Sequence, residues 1–143
     1  GIEPVYALYA TRLVPGGIGI AGMDPMFEHI ASEEGVLDAG LREAVKARGV
    51  IPGGHPLPEH LRRVFITALE IPPKRHVEVQ AAFQAHTDNA VSKTINFASD
   101  ASPDDVREAF LLAYEMRCKG ITVYRDRSRT GQTLSCGMAG ACP

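Results

Sequence analysis

The residues best suited to chemistry lie in a polar stretch around Lys93 and in a tail that carries two cysteines. The stretch from residue 84 to residue 97 reads Q-A-H-T-D-N-A-V-S-K-T-I-N-F and combines an amine with several amides and hydroxyls. These groups donate and accept hydrogen bonds, so together they could bind a polar ligand. The tail reads S-C-G-M-A-G-A-C-P and places Cys136 and Cys142 among Gly and Ala residues. A thiolate on such a tail could attack a disulfide, as thiol–disulfide exchange requires.

The end of the polar stretch has the alternation of a β-strand. Successive side chains of a strand point to opposite faces, which places Ser92, Thr94 and Asn96 on one face and Lys93 on the other. A strand buried in an α/β core should consist almost entirely of Val, Ile and Leu. The polar face therefore indicates either a cavity or water-lined site, or an edge strand with one solvated face.

The composition narrows the class of protein. A chain of 143 residues is about one domain and is long enough to bury a core. Its net charge of −2 gives no electrostatic reason to expect nucleic acid or a membrane surface as a partner. No apolar run approaches the roughly 20 residues that span a bilayer, and no signal-peptide pattern opens the chain. Since an odd number of cysteines argues against a secreted disulfide framework, we expect a cytoplasmic protein.

The pattern along the chain predicts a β-hairpin followed by several helices. Residues 5–14 and 18–23 have the character of strands, and the P-G-G between them is a turn signal. Capping residues and the helical spacing of apolar side chains predict four helices, over residues 24–35, 37–49, 59–71 and 73–86.

The helix predicted over residues 73–86 leads into the polar stretch. It is predicted to run through Val79, Ala82, Phe83 and His86. We interpret His76 as a solvated side chain. His86 lies where the helix meets the strand, and there a structural hydrogen bond explains the residue better than catalysis.

A strand–helix–strand unit follows the polar stretch. Ser102 is suited to cap the helix and Gly120 to end it. The buried stripe of this helix is predicted to contain Val106, Phe110, Ala113 and Tyr114. Residues 121–124 then read as a short buried strand. This order and spacing predict a right-handed βαβ crossover with parallel strands.

Five segments, in this order along the chain, resemble one enzyme family. They read G-I-E-P-V-Y-A-L-Y, V-F-I-T-A-L-E-I-P-P-K-R-H, A-H-T-D-N-A-V-S-K-T-I-N, D-A-S-P-D-D-V-R-E-A-F-L-L-A-Y and C-K-G-I-T-V-Y-R-D. They are similar to the C-terminal part of the catalytic barrel of class II ribonucleotide reductases, the adenosylcobalamin-dependent enzymes. The resemblance extends from Gly1 to about Arg129, and several linked motifs make it more specific than any single one.

The resemblance implies a fold, an activity and a set of partners. Residues 1–130 would be the C-terminal portion of a ten-stranded α/β barrel, and residues 131–143 a flexible tail that contains cysteines. The complete enzyme would reduce ribonucleotides to deoxyribonucleotides for DNA synthesis, with adenosylcobalamin as the cofactor for the radical chemistry. Its partners would be the rest of the reductase chain, the ribonucleotide substrate and a thioredoxin-like reductant, with no nucleic acid and no membrane.

Parts of the family's active site are absent from this sequence. The chain lacks the loop of the form Asn-x-Cys-x-Glu that carries the radical-bearing cysteine, and it lacks the two reducing cysteines of the barrel. It also lacks the phosphate loop of the Pro-Thr-Gly-Thr type that in the family lies shortly before Gly-Ile-Glu-Pro. We therefore expect the sequence to be a piece of a longer protein and the isolated chain to be inert.

Two groups of candidate site residues remain. The residues expected nearest to the substrate or cofactor are Gly1, Ile2, Glu3, Ser92, Lys93 and Asn96. In the resembled family a flexible C-terminal cysteine pair carries electrons to the active-site disulfide, which makes Cys136 and Cys142 a candidate redox-shuttle pair. The pair also fits the first half of a zinc knuckle, and both readings stay open. Cys118 at a helix end is interpreted as structural, because free cysteines are commonly buried.

Two functions of another class are also compatible with the sequence. One is a non-catalytic module that kept the barrel segment to bind a nucleotide or a partner protein. The other is a small metal-binding redox protein that uses the tail cysteines. Elsewhere in the chain the spacing of Cys, His and carboxylate residues predicts no metal site.

Overall fold

Residues 1–129 and 131–138 are described by a computed structural model. The elements in chain order are β1 (Tyr9–Val14), β2 (Ile18–Met23), α1 (Pro25–Glu33), α2 (Ala39–Arg48), α3 (Glu59–Val64), α4 (Pro73–Gln84), β3 (Thr94–Phe97), α5 (Pro103–Glu115), β4 (Thr122–Arg125) and β5 (Leu134–Cys136). They form two units. The hairpin unit comprises Val5–Glu70 and the described residues from Gly131 onward, and the crossover unit comprises Gly1–Pro4 and the described residues from Ile71 onward to residue 129. No helix in the described part of the chain is long and apolar enough to cross a membrane.

Two helices begin at the capping side chains that the sequence predicts for them. At the start of α1, Oδ1 of Asp24 accepts hydrogen bonds from the N–H groups of Met26 (3.1 Å) and Phe27 (2.9 Å). At the start of α5, Ser102 and Asp105 exchange side-chain-to-backbone hydrogen bonds in a capping box. These bonds satisfy N–H groups that have no partner within the helix. The structure has both helix starts where the sequence predicts them.

The hairpin unit contains a three-stranded antiparallel sheet in the order β2-β1-β5. Strands β1 and β2 form the predicted hairpin, although β1 begins at Tyr9 rather than at residue 5. Strand β5 pairs with the other edge of β1, with Ala10 opposite Cys136. Residues 134–136 of the expected tail thus form a strand, and residues 139–143 of that tail lie outside the described residues. The pairing forms because β1 offers a second row of backbone N–H and C=O groups for a strand to bind.

The core of the hairpin unit is apolar and surrounds Phe27. Its buried members are Leu8, Phe27, Ala31, Leu41, Val45, Ile51, Leu57, Leu61 and Phe65. The rings of Phe27 and Phe65 meet edge to face, with centroids 5.2 Å apart and an interplanar angle of 77°. This geometry is favourable because the positive edge of one ring faces the negative face of the other.

Helix α3 ends at Val64, although the apolar pattern predicts a helix to residue 71. Oε2 of Glu70 accepts hydrogen bonds from both the N–H and the hydroxyl of Thr67, each at 2.8 Å. The N–H of Ala68 donates to the carbonyl oxygen of Val5 at 2.8 Å. In a longer helix the N–H groups of Thr67 and Ala68 would bond to carbonyl oxygens of the same helix. Here they bond to Glu70 and Val5, and a turn takes the place of the last helical turns.

In the crossover unit, β3 and β4 pair in parallel and α5 connects them, as the sequence predicts. Thr94 lies beside Thr122, and Phe97 lies beside Arg125. One face of this two-stranded sheet packs against α4 and α5. The buried apolar residues of this contact are Val77, Ile95, Phe97, Ala109 and Ala113.

The buried face of α5 is not the face that the periodicity predicts. Ala109 and Ala113 are buried, whereas Phe110 is 46% exposed and Tyr114 is 83% exposed. Apolar residues occupy two adjacent stripes of α5, so helical spacing alone could not choose between them. The structure buries the stripe of small residues, which lets the helix lie close to the sheet. The prediction that Phe110 and Tyr114 are buried is wrong.

The buried face of helix α4 is largely polar. Two of its large apolar residues, Val79 and Phe83, are 40% and 52% exposed. The buried residues are His76, Val77, Gln80, Ala81 and Gln84. Three of these five are polar, and a search for apolar periodicity passes over such a stripe. The prediction that His76 is solvated is therefore wrong, because its side chain is 1% exposed.

Candidate functional site

The site is built around a buried lysine that immediately precedes β3. Lys93 lies on the same face as Ile95 and Phe97, the face that α4 and α5 cover, and its side chain is 2% exposed. A buried ammonium is costly unless it is paired and its N–H groups are hydrogen-bonded. The alternation of the strand therefore explains why Lys93 points inward and why it needs acceptors there.

Three acceptors surround the Lys93 ammonium. Its Nζ lies 2.9 Å from Oε2 of Glu3, 3.0 Å from Nδ1 of His76 and 3.3 Å from the carbonyl oxygen of Thr94. An ammonium has three N–H donors, so these acceptors satisfy it fully. The other carboxylate oxygen of Glu3, Oε1, accepts a 2.6 Å hydrogen bond from the N–H of Thr94. The side chains of Glu3, His76 and Lys93 form the Lys93 clamp, which ties Gly1–Pro4 to the start of β3.

His76 has a defined role in this clamp. Its side chain is 1% exposed and lies on the buried face of α4. Because an ammonium can only donate, Nδ1 of His76 accepts from Lys93, and this assigns the proton of the neutral ring to Nε2.

The Glu3 carboxyl is held in its ionised form. Partial burial would raise its pKa, but the hydrogen bonds from Lys93 and from the N–H of Thr94, with the charge of Lys93, outweigh burial. The pKa of Glu3 therefore lies below its ordinary value of 4.5. The side chain is 47% exposed, so solvent screens part of this ion pair and its contribution to stability is modest.

We expect the stabilisation by Glu3 to disappear in acid. Since the folded-state pKa is lowered, the stabilisation is fully present above the unfolded value of 4.5 and is lost as the pH falls through the folded-state pKa. Glu3→Gln should therefore have a lower free energy of unfolding than the wild type at neutral pH, and the two should converge in acid. Urea unfolding at a series of pH values measures the difference.

Glu108→Gln is the matched control for this experiment, because Glu108 is an exposed carboxyl on α5. Its difference from the wild type should change little with pH. A Glu3→Gln difference that stays constant from neutral pH into acid would contradict the lowered pKa of Glu3.

A pocket of about 270 Å³ opens beside the clamp. Gly1, Ile2, Glu3 and Lys93 contribute to its lining, together with Arg75 and His76. Four of the six residues expected near a ligand thus meet at one pocket. No sequence pattern singled out Arg75, and His76 stood out only as a polar residue on an amphipathic helix.

The two remaining residues, Ser92 and Asn96, alternate with Lys93 onto the other side of the chain. Asn96 is 9% exposed in β3, and Ser92 is exposed just before it. The parallel register places Thr122 beside Thr94 and Tyr124 beside Asn96. Neighbouring residues of paired strands point to the same side of a sheet. Thr94, Asn96, Thr122 and Tyr124 therefore form one polar face, whose uncharged groups suit a ligand with hydroxyls or amides.

Buried glutamines of α4 hold the loop that leads to Lys93. Nε2 of Gln80 donates to the carbonyl oxygens of Val91 (3.0 Å) and Gly120 (2.7 Å). Gln84 donates to the carbonyl oxygen of Asn89 at 2.9 Å and accepts from the N–H of Val91 at 3.1 Å. These hydrogen bonds anchor the polar loop to α4 and to the start of β4, so the approach to Lys93 is fixed by buried side chains.

Comparison with known proteins identifies the family of this chain. The family described as "Ribonucleotide reductase, barrel domain" matches residues 1–124. The chain belongs to this family. The vitamin B12-dependent ribonucleoside-diphosphate reductase of Thermoplasma acidophilum is 41% identical over 138 residues, which are 96% of this chain and 18% of that protein. The corresponding reductase of Mycobacterium tuberculosis H37Rv is 42% identical over 135 residues, 94% of this chain and 19% of that protein. The chain thus spans less than a fifth of these relatives.

A solved ribonucleotide reductase has the same fold. The Actinobacillus ureae class Id ribonucleotide reductase alpha subunit superposes with a TM-score of 0.68 at 22% identity, over 86% of this chain and 22% of that chain. Similarity at this level of identity establishes the fold, and function has to be argued from the site. The expected α/β class is therefore confirmed.

The cysteines of this ribonucleotide reductase segment have different surroundings. Cys136 ends β5, is 1% exposed and is disulfide-bonded, whereas the sequence offers no sign that it is buried. Cys142 lies outside the described residues. Cys118 is partly buried, and burial raises the pKa of its thiol, which makes it less reactive. Within residues 1–129 and 131–138, no group of three or more His, Cys, Asp or Glu side chains could hold a metal ion.

Proposed function

We propose that this chain is the C-terminal part of the catalytic barrel of a class II, vitamin B12-dependent ribonucleotide reductase. The observation that carries the proposal is the 41% identity to the Thermoplasma enzyme across 96% of the chain. The complete protein would be a cytoplasmic oxidoreductase that replaces the ribose 2′-hydroxyl of a ribonucleotide by hydrogen. Its other parts would supply the radical-bearing cysteine that this segment lacks.

In this proposal, β3 and β4 belong to a ten-stranded α/β barrel. The supporting observation is that helices cover one face of the pair and the polar face lies on the other. In α/β barrels the helices surround the sheet, and the side chains of the opposite face point to the barrel interior. The polar face would then point inward to the ribonucleotide, and the Lys93 clamp would lie behind it.

Adenosylcobalamin would supply the radical chemistry of the complete enzyme. The pocket beside the Lys93 clamp does not fit this cofactor. Its volume of about 270 Å³ is below the roughly 300–1,000 Å³ of pockets that enclose drug-sized ligands, and a corrinoid is larger than those ligands. Glu3, which accepts hydrogen bonds from Lys93 and from the N–H of Thr94, is therefore assigned to the support of the strand and not to cobalamin binding, while Gly1 and Ile2 only line the pocket.

A thioredoxin-like protein is the proposed reductant, with Cys136 and Cys142 as the redox-shuttle pair. Thiol–disulfide exchange needs sulfur atoms that can reach each other. Because Cys136 is buried where β5 pairs with β1, β5 would have to separate from β1 before this cysteine could act. The zinc-knuckle alternative gains no support from the described residues, since none of them joins Cys136 in a metal-ligand group.

The proposed function is tested with the full-length protein that contains this segment. With adenosylcobalamin and dithiothreitol, it should convert a ribonucleoside diphosphate or triphosphate into the deoxyribonucleotide, which chromatography detects. The 143-residue chain alone should give no product, because the radical-bearing cysteine lies elsewhere in the protein. Absence of turnover by the full-length protein with either substrate would overturn the proposed function. Cobalamin-dependent turnover by the isolated chain would contradict the placement of the radical site outside it.

A further inference from the structure

The Lys93 clamp binds both backbone polar groups of the first residue of β3. The N–H of Thr94 donates to Oε1 of Glu3 at 2.6 Å, and the carbonyl oxygen of Thr94 accepts from Nζ of Lys93 at 3.3 Å. Both bonds involve a charged partner, which makes them stronger than bonds between neutral groups. The backbone at Thr94 cannot rotate without breaking them, so the clamp fixes the conformation at which β3 begins.

The clamp is linked to the polar face through the strand. Side chains alternate along β3, so holding Lys93 on the helix-covered face also fixes Thr94 and Asn96 on the other face. The positions of Thr122 and Tyr124 are fixed as well, because β4 pairs with β3 residue by residue. A rotation at Thr94 would turn the polar side chains of β3 away from their partners on β4.

A charged, hydrogen-bonded side chain at position 93 is not needed to fill the buried space there. Replacing a buried ion pair by apolar residues of similar volume often leaves stability unchanged or raises it. Stability alone therefore does not explain a lysine that is 2% exposed. An ammonium with three fixed acceptors does define one orientation of the side chain and of the peptide group beside it. The clamp is therefore suited to set a geometry.

We propose that Lys93 is a positioning residue of the reductase, which acts through Thr94 to orient the polar face towards the ribonucleotide. The proposal rests on the proposed function and adds to it that the polar face, Thr94, Asn96, Thr122 and Tyr124, binds the uncharged hydroxyl or amide groups of the substrate. Lys93 does not touch the substrate. It acts from the helix-covered side of the strand.

Lys93→Ala in the full-length protein, assayed with adenosylcobalamin and dithiothreitol, tests the role. We expect kcat/KM for the ribonucleotide to fall by roughly 10- to 100-fold, the scale of loss when a binding surface is misplaced. Most of the change should be a rise in KM, because the substrate loses oriented contacts while the radical chemistry lies elsewhere. Lys74→Ala is the matched control, since Lys74 is an exposed lysine of α4, and it should leave both constants unchanged.

A small primary amine separates positioning from stability. Lys93→Ala opens space beside the 270 Å³ pocket in which propylammonium can donate to Glu3, His76 and the Thr94 carbonyl. Propylammonium should therefore lower KM towards the wild-type value, whereas tetramethylammonium, a cation without N–H donors, should not. An unchanged KM in Lys93→Ala would overturn the proposal. So would a loss of activity that follows the loss of thermal stability and does not respond to propylammonium.

A second variant decides the question if Lys93→Ala does not fold. Glu3→Gln keeps an oxygen for the Thr94 N–H and removes the charged partner of Lys93, at a side chain that is 47% exposed. A smaller rise in KM is expected, and no rise would overturn the positioning role.

Failure of the proposed function can be told apart from failure of the positioning role, because the wild-type full-length protein would then show no turnover. Hydrogen exchange at the Thr94 amide would still report on the clamp, and it should be faster in Lys93→Ala, or in Glu3→Gln, than in Lys74→Ala.

Discussion

Phe27→Ala is expected to lower the free energy of unfolding of the hairpin unit by about 3–5 kcal/mol. The side chain is completely buried, and its ring meets Phe65 edge to face. Truncation removes apolar surface from the core and leaves a cavity that Leu8 and Leu41 can fill only in part. Since domains are stable by only about 5–15 kcal/mol, the variant should unfold at a much lower urea concentration.

Met26→Ala is the matched control for Phe27→Ala. Met26 is the preceding residue of α1 and is 58% exposed. Met26→Ala should therefore lower the free energy of unfolding by less than about 1 kcal/mol. Urea unfolding followed by circular dichroism gives both values. Equal losses for the two variants would show that Phe27 does not occupy the core of this unit.

Gly137→Ala is expected to release β5 from β1. Gly137 has a φ of +58°, and a Cβ at this position would overlap the carbonyl oxygen of Ala47 in the backbone of α2. Relief requires residue 137 to move, which breaks the 2.7 Å hydrogen bond from its N–H to the carbonyl oxygen of Tyr9. The N–H of Leu13 donates to the carbonyl oxygen of Thr133 at 2.9 Å. Once β5 is released, this N–H should exchange with solvent at least about tenfold faster.

Gly131→Ala separates the overlap from the backbone conformation. Gly131 also has a positive φ, +73°, but apart from its chain neighbours no atom of the described residues lies within 4 Å of a Cβ placed there. Gly131→Ala should lower the free energy of unfolding only by the cost of the left-handed conformation, about 1–2 kcal/mol. Hydrogen exchange at the Leu13 amide should stay close to the wild-type rate. Equal acceleration in both variants would show that the contact with Ala47 does not control the docking of β5.

Elements that depend on neighbouring residues could be predicted from the sequence. The P-G-G turn of the hairpin, the caps at Asp24 and Ser102 and the helix end at Gly49 each depend on a few adjacent side chains. The pairing of β5 with β1 and the early end of α3 could not be predicted. Both depend on backbone hydrogen bonds between distant parts of the chain, such as Ala68 to Val5, and no local pattern contains them.

The buried faces of α4 and α5 show a second limit. On α5, two apolar stripes satisfy the same periodicity, and packing selects the one with Ala109 and Ala113. On α4, Gln80 and Gln84 are buried because their amides bind backbone groups of the neighbouring loop. Buried polar residues are satisfied by partners, and those partners become known only with the fold.

The members of the candidate site were easier to predict than their arrangement. The family resemblance named Glu3 and Lys93, which the structure joins at 2.9 Å, but it contained no distance between them. The alternation of the strand already separated Lys93 from Asn96, and the structure places them on opposite faces accordingly. His76 was missed because its role depends on Lys93, which lies 17 positions away along the chain.

The pairing of β5 with β1 determines the order in which the hairpin unit can assemble. Tyr6 and Leu134, which meet beside this sheet, are 128 positions apart, so β5 closes almost the whole chain into one loop. Loop-closure entropy makes such contacts slow, whereas a hairpin with a short turn forms in about 1–10 μs. During synthesis, β1, β2 and the first helices emerge long before residue 134. Strand β5 is therefore the last piece to be added, and until it arrives the nascent protein exposes an unpaired edge of β1 to which a strand of another molecule could bind.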